Sequence, residues 1–373
     1  MIRPTVARVD LEALTSNYTT LLAHLKTERP SKTPGVIAVV KANAYGHGAP
    51  QVAKALEAAG ADLLACADIE EGAVLRRAGI KAEILVFGAM SVSDLDGLFD
   101  CNLTPTISTP GAAQAVQAAA VKYKRRVRYH LKIDTGMNRL GFRFDNLKRS
   151  LPELLASPNL ELAAVYTHFA TADVPDSPVF GEQRVRFEQV LKAVAELGGA
   201  PSYVHASNSA AFLRDSRVWY DRVRPGLLLY GIVPPPLAST LPLKPVMSLH
   251  SKVVAVKGMR PSEISGYGAR FVADKPTTIA IIPAGYADGI DLRLASRGHV
   301  LIRGRRAPVI GSVCMDMLTV DVTGMEVFPG DDAVILGKQG DDCIDAREMA
   351  ATIGTIPWEV VCRVGSRIER QYE

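Results

Sequence analysis

Residues 36–67 read VIAVVKANAYGHGAPQVAKALEAAGADLLACA, and this stretch decides the fold. It opens with an apolar, β-branched run, 36–40, with the length and composition of a buried strand. The run stops at Lys41, and a segment carrying Gly46 and Gly48 follows as a turn. Across 51–59 the apolar residues recur at helical spacing, and Gly60 stands where a C-cap belongs. A second apolar run, 62–67, then begins. Strand, turn, helix, glycine and strand make one βα unit, the repeating part of a parallel sheet.

The unit repeats along the chain. Further strand candidates are 83–87, 103–107, 127–133, 162–166, 203–206 and 227–230, with helical patterns at 69–78, 112–122 and 181–197 between them. Eight strands with intervening helices predict an α/β fold, a closed (β/α)8 TIM-like barrel rather than an open doubly wound sheet. In such a barrel the residues just past the strand ends share one mouth, so Lys41, His168, Ser209 and Arg224 converge although far apart in sequence. Prolines 234–236 and Pro242 then interrupt the rhythm as a linker. Beyond them, short alternating runs (250–256, 277–282, 299–303, 307–310, 317–322 and 332–336) predict a mostly β C-terminal domain. The division is 1–235 for the barrel and 236–373 for the β-rich domain, with the first residues as candidates for pairing with the second.

Length and charge exclude several classes. At 373 residues, 48% of them hydrophobic, the chain has room for two cores. A formal charge of +4 is small, and the basic run 122–128 reads as a helix end entering a strand, so no nucleic-acid partner is expected. No apolar stretch reaches membrane-spanning length, and residues 1–10 are too charged for a signal-peptide core, so no membrane is expected and the cytoplasm is the expected compartment. Cys66, Cys101, Cys314, Cys343 and Cys362 are scattered without a C-x-x-C pair, which points to neither a metal site nor a disulfide framework.

The chemistry starts at Lys41. An amine in a dry barrel mouth loses solvation in its charged form, so its pKa falls and it becomes a usable nucleophile and base; a lysine at a strand end is otherwise a solvated charge. His130, Lys132 and Asp134 alternate on one strand and share a face. A buried ammonium there needs a partner, and an ion pair of Lys132 with Asp134 or another acid is the simplest one. Arg139 offers a fork that fits a carboxylate, or else is a surface charge after a glycine turn. Arg224 cannot be deprotonated, so it donates hydrogen bonds without giving up a proton. No Walker-type glycine loop is present, and a single phosphate needs less: the Ser209 hydroxyl after Asn208, and backbone donors at Gly226 and Leu227. Ser209 is equally suited to capping a helix, and Gly226 to a tight turn.

Segment 38–48, AVVKANAYGHG, closely resembles the cofactor-binding signature of the alanine racemases. The resemblance runs over nearly the entire chain. It continues, in order, through CADIEEGAVLRRAG (66–79), HLKIDTGMNRLG (130–141), YTHFA (166–170), HASNSAA (205–211) and VRPGLLLYG (223–231), then GYG (266–268), GYADG (285–289) and CMD (314–316). It implies a pyridoxal 5′-phosphate enzyme interconverting L- and D-alanine, for peptidoglycan or for alanine catabolism. Lys41 would hold the cofactor through an imine and serve as the base for D-alanine. Tyr267, from the other subunit of a head-to-tail homodimer, would serve L-alanine. Tyr45 would join the phosphate site, Arg224 would face the pyridine nitrogen, and His168 would link Arg224 to the tyrosine, with His205 supporting the ring or its neighbours. Lys132 would be carbamylated and orient Arg139 toward the substrate carboxylate, while Tyr286 and Met315 would line the substrate pocket.

Two places depart from the family pattern. Ser366 stands where many members place a phosphate-binding tyrosine, and 290–293 differs near the substrate entrance, with Arg293 as a compensating charge. The rivals are a barrel-type amino-acid decarboxylase, against which Arg224 stands where an acid is expected, and a pyridoxal-phosphate carrier or homeostasis protein, against which the Tyr267-bearing second domain stands.

Overall fold

The computed structural model describes residues 4–90 and 95–373; residues 1–3 of the charged start lie outside them. The βα rhythm closes into a parallel barrel. Its strands run Ala38–Val39, Leu63–Cys66, Glu83–Val86, Thr104–Ile107, Val127–Asp134, Leu160–Tyr166, Tyr203–His205 and Arg222–Val223, the last pairing with Gly35–Val36. Gly35–Val36 and Ala38–Val39 are halves of one strand broken at Ile37, whose amide still donates to the Val223 carbonyl at 2.8 Å. One half pairs with the last strand and the other with the second, which closes the ring. Parallel strands leave their outer faces to be covered, and helices such as Ala49–Ala58, Ile69–Arg77, Pro110–Lys122 and Val179–Glu196 cover them. Helix starts follow local chemistry: Asp68 and Thr109 accept from the amides of Glu71 and Ala112 as N-caps.

The eighth strand is Arg222–Val223, and the predicted strand 227–230 is instead the 3-10 helix Leu227–Tyr230. Four apolar residues in a row cannot by themselves distinguish a buried strand from a buried turn. Here Pro225 has no amide to extend the ladder, and the chain turns at Gly226.

The barrel interior is divided. On the first three strands Ile37, Leu63, Ala65 and Leu85 form an apolar cluster, as barrels normally do. On the later strands the buried residues include His130, Lys132, Tyr166 and His205. Burying that much polarity is costly without hydrogen bonds, so this half marks where chemistry is held.

The second domain is built on an antiparallel sheet. It runs Ala255–Met259, Thr277–Ile282, Leu318–Asp321, Arg305–Ile310, His299–Ile302, Asp332–Gln339 and Met247–Lys252. The predicted run 250–256 is thus two strands with a break at Val253 and Val254. Val6–Val9 joins this sheet, antiparallel to Met247–Lys252 and parallel to Glu369–Tyr372, so the segment that leads into the barrel is anchored in the other domain. Two helices that the sequence reading missed, Ala346–Ile353 and Pro357–Cys362, pack beside it. Among the described residues, no helix is long and apolar enough to cross a membrane.

Candidate active site

Lys41 is presented by an uncommon turn. Ala42, Asn43, Ala44 and Tyr45 all have φ between 52° and 55°, a left-handed conformation that costs an L-residue roughly 1–2 kcal/mol. The turn is tied at several points. Glu71 accepts from the amides of Ala42 at 2.7 Å and Ala67 at 2.8 Å, and Asn43 Oδ1 accepts from the Ala49 amide at 2.8 Å. Glu71 therefore clamps the end of the first strand to the end of the second. Its role was missed in the sequence; its place in the first turn of a helix behind a strand end was the available signal.

Lys41 opens into a cavity of about 550 Å³ that also reaches Lys132, Arg139, His168, Arg224 and Asp173. Two arginines, two lysines and one carboxylate therefore share it. Burial, then the nearby Arg139 guanidinium, lowers the Lys41 amine below its ordinary value. Lys132 is 7% exposed, with its ammonium 4.7 Å from the Tyr166 ring centre. The expected pair with Asp134 does not form. Asp134 instead accepts from the amides of Gly136, Met137 and Asn138 at 2.9–3.1 Å, holding the turn that leads to Arg139. Burial, followed by Arg224 and Arg139, drives the Lys132 amine well below the usual lysine range. Arg139 is exposed at the rim and has no hydrogen-bond or ion-pair partner among the described residues.

Arg224 is buried and fully oriented. One terminal nitrogen donates to the carbonyls of Thr167 at 2.9 Å and Ala206 at 2.8 Å and approaches His168 Nδ1 at 3.2 Å. The other lies 2.7 Å from His205 Nδ1. No acceptor for its Nε–H is found among the described residues. Burial lowers Arg224 to about 10, which leaves it cationic at neutral pH. Burial and then Arg224 hold His168 well below its usual value, hence neutral.

The cavity is also lined by Tyr45, Asn208, Ser209, Gly226 and Leu227. Asn208, not Ser209, is the N-cap of the helix Ser209–Arg214, accepting from the Ala211 amide at 2.9 Å. This leaves the Ser209 hydroxyl to accept from the Gly226 amide at 3.1 Å. Gly226 is needed because a Cβ there would collide with the Tyr45 hydroxyl. The helix Pro357–Cys362 adds Trp358 and Cys362 to the lining, which the sequence reading missed along with the helix. Ser366 does not line this cavity; it borders an adjoining cleft with Asn43 and Gly46, across Ala42 and Cys362. Arg293 is engaged by the carboxylate of Asp291 through two nitrogens.

Tyr267, Tyr286 and Met315 do not line the cavity of their own chain; they are 79%, 44% and 52% exposed. The segment 311–315 gathers them. The Ser312 hydroxyl donates to the Tyr267 carbonyl at 2.7 Å, and the amides of Tyr286 and Ala287 donate to the carbonyls of Cys314 and Met315. A side chain on Gly285 would collide with those two carbonyls, so glycine permits the approach.

Comparison with known proteins finds one family over nearly the full length. The family model of the alanine racemase N-terminal domain matches residues 9–234, and that of the C-terminal domain matches 246–372. The alanine racemase of Carboxydothermus hydrogenoformans is 43% identical over 377 residues, covering 100% of both chains. The crystal structure of Bacillus anthracis alanine racemase with bound L-Ala-P superposes with a TM-score of 0.90 at 36% identity, covering 100% of this chain and 96% of that one. The alanine racemase of Streptomyces lavendulae gives 0.93 at 33% identity, covering 100% and 98%. With two domain models matched in order and a relative aligned end to end, the chain belongs to the alanine racemase family.

Proposed function

We propose that this chain interconverts L- and D-alanine with pyridoxal 5′-phosphate, Lys41 serving one face of the α-carbon and the partner subunit's Tyr267 the other. The observation that carries the reading is the basic lining of the cavity: Arg139 and Arg224 stand in it with Lys41 and Lys132 against the single carboxylate of Asp173, and burial depresses the Lys41 amine. A phosphate and a substrate carboxylate are the anions such a cavity favours. Its volume of about 550 Å³ lies in the range of cofactor sites.

The donor set fits the cofactor. Tyr45, Asn208, Ser209, Gly226 and Leu227 would hold the phosphate, and the free Nε–H of Arg224 would meet the ring nitrogen. Bound there, the pyridoxal ring supplies the electron withdrawal that acidifies the α-hydrogen of an attached amino acid. An arginine at that nitrogen gives up no proton, which tempers the withdrawal and favours proton exchange over transamination. Arg139, free at the rim, would bind the substrate carboxylate. Burial and the two arginines disfavour the charged form of the Lys132 amine, which favours its reaction with carbon dioxide, and the resulting carbamate would be the anion that orients Arg139. Racemisation needs a proton taken from one face and returned to the other, so Lys41 requires a second base opposite. Tyr267 is displayed outward with Tyr286 and Met315 beside it, which fits donation into a neighbour's site across a head-to-tail homodimer, His168 linking it to Arg224. The cytoplasm is the compartment this reading assigns.

A decarboxylase would place an acid where Arg224 stands, and a carrier would lack the second family domain matched at 246–372. Incubation of the dimer with L-alanine in heavy water tests the reading. Deuterium at the α-carbon with inversion is the expected result; carbon dioxide release, or no exchange with any amino acid, contradicts it.

A further inference from the structure

Arg224 is a buried cation with no carboxylate partner among the described residues. Its charge is met by lone pairs and by the face of the Tyr166 ring, 5.3 Å away, and one of the lone pairs begins a chain. Arg224 lies 2.7 Å from His205 Nδ1; His205 Nε2 lies 3.1 Å from His130 Nδ1; His130 Nε2 lies 2.8 Å from the Tyr203 hydroxyl. All three rings come from barrel strands, and His205 and His130 are 0% exposed.

The direction of this chain follows from its first member. A guanidinium can only donate, so His205 must accept on Nδ1 and carry its proton on Nε2. His130 must then accept on Nδ1 and donate from Nε2, and the Tyr203 oxygen accepts. Reversing any one ring would bring two donors face to face at the next link. Both imidazoles therefore turn their lone-pair sides toward Arg224. They stabilise its charge without neutralising it, as a carboxylate would. Packing fixes the rings: Tyr166 stacks on His205 at 4.5 Å and 14°, and Tyr203 meets His130 edge-on at 5.4 Å. The strand ladder also slips by one residue between Tyr129 and His130, a bulge that re-aims a side chain. Burial keeps both histidines neutral, with His130 down to about 3 and His205 well below its usual value.

We propose that His205, His130 and Tyr203 are positioning residues, a one-way hydrogen-bond chain that fixes Arg224 as a cationic donor aimed into the cavity. This rests on the reading that Arg224 faces the cofactor ring. The chain extends that site through the barrel interior to Tyr203, which touches neither substrate nor cofactor.

The test is the imidazole nitrogen spectrum of the holoenzyme labelled with ¹⁵N-histidine, with His130→Asn and His205→Asn assigning the signals. Both rings are expected with protonated Nε2 and bare Nδ1. A proton on Nδ1 of either ring, or on both nitrogens, overturns the proposal. Kinetics supply a second arm that a merely structural role would not move. Tyr203→Phe removes one acceptor and is expected to lower kcat about 3- to 10-fold and alter cofactor absorbance, with KM for alanine unchanged. His130→Asn, which can still accept and donate, should retain more activity than His130→Leu. Wild-type kcat and absorbance in Tyr203→Phe overturn the proposal, and that variant is conservative enough to fold if the leucine variant does not. A holoenzyme with the expected tautomers but no racemisation would overturn the proposed function and leave the chain standing.

Discussion

The barrel mouth and the Tyr267 face of the second domain both carry residues with chemistry, and they are built in opposite ways. In the mouth, Arg224 is buried with four acceptors around it, Lys132 is enclosed, and Lys41 is held on a left-handed turn clamped by Glu71. On the second domain, Tyr267, Tyr286 and Met315 are linked through backbone bonds while their side chains stand in the open. Adjacent exposed apolar side chains on a folded surface mark a place where something docks. The difference teaches that enclosure and display are separate tasks: the mouth fixes its side chains by burial and hydrogen bonds, and the second domain fixes only the backbone beneath Tyr267, Tyr286 and Met315.

The comparison can be broken by substitution, starting where the effect is largest. Tyr267→Phe should lower racemisation by about 10²- to 10⁴-fold while the cofactor still binds, since a general acid or base contributes on that scale. Racemase assay together with cofactor absorbance checks it, and loss of cofactor would place Tyr267 in the mouth's own architecture. Next is Glu71→Gln, which sets an amide donor against one of the two backbone amides now accepted. A loss of about 1–3 kcal/mol in unfolding free energy is expected from denaturant titration.

Protonation sharpens the contrast further. Burial and Arg139 disfavour the charged form of Lys41, so its amine stays neutral at lower pH than a solvated lysine would. In cofactor-free protein, labelling of Lys41 by an amine reagent should reach half its maximum below the ordinary lysine range. Arg139→Gln removes a repelling cation and should move that midpoint up in pH; a downward move would contradict the assignment. The smallest effect belongs to the open face. Tyr267→Phe should change monomer stability by less than about 0.5 kcal/mol, because an exposed ring buries little.

Much of this was legible in the sequence where a local rule had one outcome. Residues 36–67 gave strand, turn and helix because a short β-branched run, paired glycines and helical spacing agree there. Lys41, His168, Ser209 and Arg224 converge because strand ends in a barrel share a mouth. What could not be read depended on contacts that spacing and composition leave open. The run 227–230 is equally apolar as strand or turn, and the turn at Gly226 after Pro225 decides. Asp134 was read as a partner for Lys132 from their shared face, but three amides in the next turn take its oxygen first. The short helix bearing Trp358 and Cys362 offers too few residues for a periodic signal. Glu71 is an ordinary first-turn acid until the left-handed turn beside it is seen.

The central claim, that a working site takes Lys41 from one copy and Tyr267 from another, is tested most directly by mixing two inactive variants. Lys41→Ala and Tyr267→Phe protein, unfolded together and refolded, would form mixed dimers in which one site has both residues intact. Random pairing predicts recovery of roughly a quarter of wild-type racemase activity, from two preparations that have almost none alone. Mixed dimers that form and remain inactive would show that both residues must belong to the same chain, and would contradict the account.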